Sequence, residues 1–192
     1  MQNLDATPIT GPVTEEQRTY ALDALRSTAE ALHQSVAGLN EARLNYKPAD
    51  NRWSIAENLE HIVLVEAGLM AGIQKGMTYP ANPDKRADVR LIDVDVIKAV
   101  RSRAVTFPAP DPFVPTGRFG NSAGSLAAFD AGRAQTIAFV ETVAADLRQH
   151  YIRHIALGWL DCYQGVLTIA AHGERHRKQI EEIKANAGFP AL

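Results

Sequence analysis

The residues best suited to chemistry in this sequence are two histidines of its last third, His172 and His176. Apolar residues recur around them every three or four positions, and both histidines fall where this pattern expects a buried side chain. Four-residue spacing stacks two side chains on one helix face, close enough to share one ion. Neutral imidazoles bind zinc, nickel, copper or iron. The spacing therefore predicts two metal ligands, with two buried, hydrogen-bonded histidines as the alternative.

A third ligand has to come from another helix, and His61 is the candidate. On a helical wheel, His61 lies beside the apolar face that contains Leu59 and Ile62, not on it. Its own stripe is small and polar: Ser54, Asn58, His61, Val65, Gly68 and Gly72. Small residues beside a ligand suit a pocket wall with room for water or substrate, but they also suit a solvated helix flank. The periodicity leaves both interpretations open.

The remaining candidates carry a weaker signal. His33 is alone on its predicted helix and is typical of a surface residue, whereas His150 and His154 have four-residue spacing but lie among charged residues. Glu57 and Glu174 are weak candidates for a catalytic base or for a hydrogen-bond partner of a ligand. For both carboxylates, the ordinary interpretation as charges on a helix surface is favoured.

Four long helices are predicted to position these side chains, at about 14–37, 54–76, 125–147 and 161–187. The first two begin with capping boxes, Thr14 with Gln17 and Ser54 with Glu57. Ser125 is the predicted N-cap of the third helix. The pattern is all-α and predicts a four-helix bundle that forms a single domain over residues 1–192.

A long connection over residues 77–124 separates the second and third predicted helices. Its six prolines forbid one continuous helix, although the spacing of apolar residues predicts a short helix at about 94–104. Three phenylalanines make the segment too apolar for a free linker, namely Phe107, Phe113 and Phe119. Residues 1–13, with two prolines and a glycine, are predicted to be an unstructured lead-in.

Composition excludes several classes of function. The formal net charge is −2, and the chain therefore lacks the concentrated basic surface that nucleic-acid binding requires. No stretch approaches the roughly 20 apolar residues of a membrane-spanning helix, and the first residues do not resemble a signal peptide. A single cysteine, Cys162, allows no intrachain disulfide. A cytoplasmic protein with no nucleic-acid or membrane partner is the expectation.

At these residues the sequence resembles the DinB-like superfamily of damage-inducible and thiol-transferase proteins, over about residues 14–190. The resemblance is carried by the motif of residues 51–61 (NRWSIAENLEH) and by the segment from Ala171 through His176 to Ile180. Phe129 with Arg133, and Leu157 with Gly158, also match.

The resemblance implies a four-helix bundle in the up-down-down-up arrangement. It also implies a metal site made by His61, His172 and His176, with zinc or nickel as the expected ion. Thiol-dependent isomerases of the superfamily have a glutamate where this chain has His172, which lowers the expectation of isomerase activity. Dimers recur among such relatives, so a homodimer is a further implication.

Two classes of function follow from these residues and the resemblance. The leading hypothesis is a metal-dependent enzyme that acts on a small molecule, either a hydrolase or a transferase that uses a low-molecular-weight thiol as co-substrate. Three histidines would leave a coordination position for water or for a thiolate. The alternatives are a non-catalytic metal-binding or stress-response module, which a fourth protein ligand would favour, and a helical bundle that binds no metal.

Overall fold

The computed structural model describes residues 11–104 and 108–191. Most of the described chain is helical, and four long helices account for the bulk of it: α1 (Glu15–Val36), α3 (Ile55–Met77), α5 (Ser122–Thr142) and α6 (Cys162–Lys184). Two shorter helices, α2 (Glu41–Leu44) and α4 (Asp93–Arg101), lie in the connections. The predicted four-helix bundle is confirmed. None of the described helices is long and apolar enough to cross a membrane.

The helix starts show why these segments fold locally. Thr14 and Gln17 exchange hydrogen bonds at the start of α1, and Ser54 and Glu57 do so at the start of α3, as the sequence predicted. Each pair satisfies backbone N–H groups that have no partner within the first helical turn. A third capping box, between Asp161 and Gln164, begins α6.

The connection between α3 and α5 is ordered in the parts that the structure describes. It contains a 3₁₀ turn at Pro83–Asp88, helix α4 and a second 3₁₀ turn at Asp111–Phe113. The short helix predicted at 94–104 is confirmed, although it starts at Asp93 and ends at Arg101. Phe107 and most of the predicted lead-in, residues 1–10, lie outside the described residues.

Three details of the prediction were wrong, and the first is the end of the third long helix, which lies at Thr142 and not near residue 147. The segment 148–160 was expected to be a plain connection, but it folds with Asp161 into an antiparallel hairpin of β1 (Tyr151–His154) and β2 (Gly158–Asp161). Helix α5 starts at Ser122 with Asn121 as its N-cap, three residues before the predicted start at Ser125, because the Asn121 side chain accepts the Gly124 N–H.

A polar layer divides the apolar core into two clusters. The larger cluster includes Leu25, Ile73 and Val166, and the smaller one includes Leu32, Leu59 and Ile180. Between them, the guanidinium of Arg133 pairs with both carboxylate oxygens of Glu66 at 2.9 Å and contacts Thr28 at 3.0 Å. His172 and His176 lie at the same level of α6, between its contributions to the two apolar clusters.

Four buried or half-buried charges fix the connections onto α6, and we refer to Arg86, Asp93, Arg148 and Asp161 as the charge cluster. Arg148 binds Asp93 through two hydrogen bonds, of 2.6 and 3.1 Å, and Asp161 through one of 3.0 Å. Arg86 also binds Asp161. Burial alone would lower the pKa of Arg148, but the two carboxylates raise it above its usual value. Each charge of this cluster therefore faces an opposite charge.

Candidate metal centre

Helices α3 and α6 bring three histidines together. The ring centroids of His172 and His176 are 4.4 Å apart. The centroid of the His61 ring lies 4.6 Å from that of His176 and 5.1 Å from that of His172. One ring nitrogen from each of the three lies within 4.8 Å of the others. We refer to these three residues as the histidine cluster, and they are the three that the sequence proposed as ligands.

His61 is buried and tightly held. Its side chain is 6% exposed, and its Nδ1 lies 2.7 Å from the backbone carbonyl oxygen of Phe113. A carbonyl oxygen can only accept, so Nδ1 donates and the hydrogen of the neutral ring is on Nδ1. The other nitrogen, Nε2, is then the unprotonated one, which is the form that ligates metals.

His176 is oriented in the same way by a side chain of α3. Its Nδ1 lies 2.9 Å from Oδ1 of Asn58, whose amide nitrogen donates at 2.8 Å to the carbonyl oxygen of Ser54. The bond to Ser54 fixes which end of the amide faces His176, so Nδ1 of His176 donates to an oxygen. Like the Phe113 carbonyl at His61, the Asn58 oxygen is an acceptor that raises the basicity of the imidazole to which it bonds.

The surroundings of the three rings favour their neutral form. Desolvation lowers the pKa of His61, and it lowers the pKa values of His172 and His176 well below the usual value of 6.5. The neighbouring histidines add to the effect for His172 and His176, because each disfavours a second positive charge nearby. Neutral imidazoles are ready to bind a cation without first losing a proton.

Two glycines in the small, polar stripe of α3, Gly68 and Gly72, face other parts of the chain. A Cβ added at Gly68 would lie 2.6 Å from Cε1 of Phe113, and one at Gly72 would contact the Ile152 side chain of β1 at 4.0 Å. The sequence left a choice between a pocket wall with free space and a solvated flank. At Gly68 the structure corrects both interpretations, because the Phe113 ring occupies the space beside it, whereas a Cβ at Gly72 would fit against the hairpin.

Glu60 is a buried residue of this region that the sequence analysis missed. Glu60 is only 5% exposed. Its carboxylate accepts three backbone N–H bonds, from Thr116 and Gly117 at 2.9 Å and from Arg118 at 3.0 Å. Burial would raise the pKa of Glu60, but the three donors and the Arg118 charge outweigh it and the pKa is lowered. In the sequence, Glu60 is indistinguishable from a surface charge.

Glu57 and Glu174, the two weak candidates, are not part of the histidine cluster, and both pair with basic side chains. Glu57 caps α3 through Ser54 and pairs with Lys47 at 2.6 Å. Glu174 binds the Arg177 guanidinium at 2.7 and 3.0 Å. These contacts match the interpretation of both residues as helix charges.

The other histidines lie outside the cluster. His33 contacts Asp130 on the surface at 2.6 Å. His150 precedes β1 and is buried, whereas His154 lies near the tip of the hairpin, where its Nδ1 accepts N–H bonds from Ala156 and Leu157 at 3.2 Å. Burial lowers the pKa of His154.

The donor set fits a divalent transition ion with an open coordination position. Three neutral imidazoles are a ligand set found in catalytic zinc sites, in which a fourth position stays available to water or substrate. Among the described residues, the group that could hold an ion contains only these three of the possible His, Cys, Asp and Glu ligands. His61 and His176 are buried, whereas His172 is partly exposed as a residue.

Comparisons with known proteins find similarity to a family model, to a protein sequence and to a solved structure. The family model described as DinB superfamily matches residues 24–180. The uncharacterized protein YuaE of Bacillus subtilis (strain 168) is 24% identical over 147 residues, which cover 77% of this chain and 86% of YuaE. The solved structure of YfiT from Bacillus subtilis, described as a probable metal-dependent hydrolase with an unusual four-helix bundle topology, superimposes with a TM-score of 0.64 at 14% identity. That match covers 97% of this chain and 95% of YfiT.

Proposed function

The chain belongs to the DinB superfamily, and from that premise we propose that it is a metal-dependent hydrolase of a small-molecule substrate. The observation that carries the proposal is the convergence of His61, His172 and His176 from two helices within 4.8 Å. The description of YfiT, a structural neighbour, as a probable metal-dependent hydrolase supports the same class of reaction. Zinc and nickel are the ions to test first, since both accept imidazole ligands.

In this proposal, the chain's own residues hold and orient the donors. Asn58 and the carbonyl group of Phe113 keep the hydrogens of His176 and His61 on Nδ1. The Trp53 ring lies against His61, with centroids 4.7 Å apart. A bound divalent ion would supply Lewis-acid chemistry and lower the pKa of a water molecule to about 7.

The substrate would approach from the side of His172, the most exposed of the three ligands. Since Glu57 and Glu174 are engaged by Lys47 and Arg177, we assign both a structural role and no part in proton transfer. The closed, non-catalytic site would need a fourth protein ligand, and the described residues offer none within the cluster.

Thiol transfer is the second candidate reaction for the same site. The only cysteine cannot supply the thiol, because Cys162 is fully buried and burial raises its pKa to about 12. A transferase would therefore need a low-molecular-weight thiol from solution, held as thiolate at the open position.

The proposal is tested with protein purified without an affinity tag. We expect about one equivalent of a transition metal by elemental analysis, and metal-dependent cleavage of members of an ester and amide panel in the absence of thiol. His61→Ala should lose both the metal and the activity, whereas the matched control His33→Ala removes a surface histidine and should lose neither. Turnover that requires an added thiol would replace hydrolysis by thiol transfer, and absence of metal binding would refute both reactions.

A further inference from the structure

The connection that follows α4 passes over the histidine cluster at residues 111–118, and we refer to this segment as the strap. It touches α3 at two levels. The Phe113 ring occupies the space beside Gly68, where an added Cβ would lie 2.6 Å from Cε1. The carbonyl oxygen of the same residue accepts the Nδ1–H of His61 at 2.7 Å. The position of the strap thus decides whether His61 keeps its hydrogen-bond acceptor.

The strap is anchored at its other end by Glu60. Three consecutive backbone N–H groups, of Thr116, Gly117 and Arg118, converge on the two carboxylate oxygens at 2.9 to 3.0 Å. Gly117 makes this possible, because its φ of +79° lies in the left-handed region that turns the chain at that point. Hydrogen bonds to an ionised acceptor are about twice as strong as neutral ones, so this anchor is a strong one.

The anchor and the ligand are neighbours on one helix. Glu60 and His61 follow each other in α3, and the strap contacts both. Gly117 donates its backbone N–H to Glu60, and the Phe113 carbonyl accepts from His61. The bond from Nδ1–H of His61 to Phe113 sets which ring nitrogen is available to a metal, and this bond lies in the same segment that Glu60 anchors.

We propose that Glu60 is a positioning residue for His61, and that it acts through the strap by holding the Phe113 carbonyl against Nδ1. The effect on metal affinity rests on the proposed function, since it requires that His61 is a ligand. The effect on His61 itself does not, because the tautomer of the ring can be observed in metal-free protein.

The test compares Glu60→Gln with the wild-type protein. Glutamine keeps the size of the side chain but turns one acceptor into an NH₂ donor, which opposes the strap N–H groups. We expect the Nδ1–H tautomer of His61, observed by imidazole ¹⁵N NMR in the metal-free protein, to lose its dominance. We also expect the metal dissociation constant to rise by about tenfold or more, with a changed visible spectrum of the cobalt-substituted protein.

Two further variants keep the test decisive. Gly117→Ala leaves Glu60 intact and strains the turn at an exposed position with open space around it, so it should fold and shift the tautomer in the same direction. Glu141→Gln removes a carboxylate from a surface pair with Arg26 and should change neither the tautomer nor the affinity.

The possible results separate the two proposals. If hydrogen exchange shows that Glu60→Gln frees the strap amides while the His61 tautomer stays unchanged, Glu60 only stabilises the loop and the inference is overturned. If the tautomer responds but the wild-type protein binds no metal, the positioning role is supported and the proposed function fails.

Discussion

The charge cluster and the histidine cluster are both buried groups of polar side chains, but they are completed in different ways. In the charge cluster, Arg148 faces two carboxylates, and every charge finds an opposite charge within the chain. In the histidine cluster, the Nδ1 atoms of His61 and His176 find acceptors within the chain, and the neutral rings turn toward one another. The first arrangement pairs its charges within the chain and stabilises the fold, whereas we propose that a cation completes the second.

The largest expected effect concerns ligand removal in the histidine cluster. His172→Ala should weaken metal binding by more than the roughly 10–100-fold that the loss of a ligand's hydrogen-bond partner costs, because it removes a ligand outright. Competition with a chromophoric chelator measures the dissociation constant, and His33→Ala is the matched control. If the His172→Ala variant bound the metal with an affinity within a factor of ten of the wild-type value, His172 would not be a ligand. The contrast between the two clusters would then fail.

The next effect concerns the charge cluster. Arg148→Met should lower the free energy of unfolding by about 3–5 kcal/mol, because the buried carboxylates of Asp93 and Asp161 lose their main partner. Denaturant-induced unfolding of the metal-free protein measures the change. Arg26→Met breaks an exposed ion pair with Glu141 and should cost less than about 1 kcal/mol. Equal effects of the two variants would contradict the view that the charge cluster stabilises the fold.

A smaller effect is expected where α3 orients His176. Asn58→Leu removes the acceptor of the Nδ1–H bond while it keeps a similar volume, and should weaken metal binding by about 10–100-fold. Asn58→Asp retains an acceptor but cannot donate to Ser54, so its affinity should lie between those of Asn58→Leu and the wild-type protein. Asn45→Leu, a change in an exposed amide, is the control. An unchanged affinity for Asn58→Leu would show that the contact does not tune the ligand.

The smallest effect is a dependence of stability on pH in the metal-free protein. Burial lowers the pKa values of His172 and His176 well below 6.5, so the unfolded chain binds protons that the folded chain does not. The stability that these neutral rings contribute is therefore fully present above pH 6.5 and decreases as the pH falls toward their lower pKa values in the folded chain. The double variant His172→Leu, His176→Leu should flatten this dependence between pH 6.5 and 5. An identical slope in the variant would assign the acid sensitivity to other groups.

Much of the fold could be predicted from local signals. The capping boxes at Thr14 and Ser54 and the three-four apolar spacing are properties of short segments, and the helices they predicted are present. The hairpin was missed because its strands have four residues each, too few for an alternating pattern to stand out from the charged residues around them.

The histidine cluster could be predicted only in part. The spacing of His172 and His176 is visible in the sequence, but the partners that orient the ligands are not. The acceptor of His61 is a backbone carbonyl group at residue 113, and Phe113 has no chemical feature that announces this role. Glu60 and Asn58 look like helix-surface residues until the strap and α6 pack over them. Such contacts depend on which distant segments meet, and helical periodicity carries no information about that.

The measurement that tests the central claim most directly is a crystal structure of the protein after loading with one equivalent of zinc. Our account predicts a single ion bound to nitrogens of His61, His172 and His176, with no fourth ligand from the protein. An ion bound elsewhere, or one that leaves His61 uncoordinated beside the other two histidines, would contradict it.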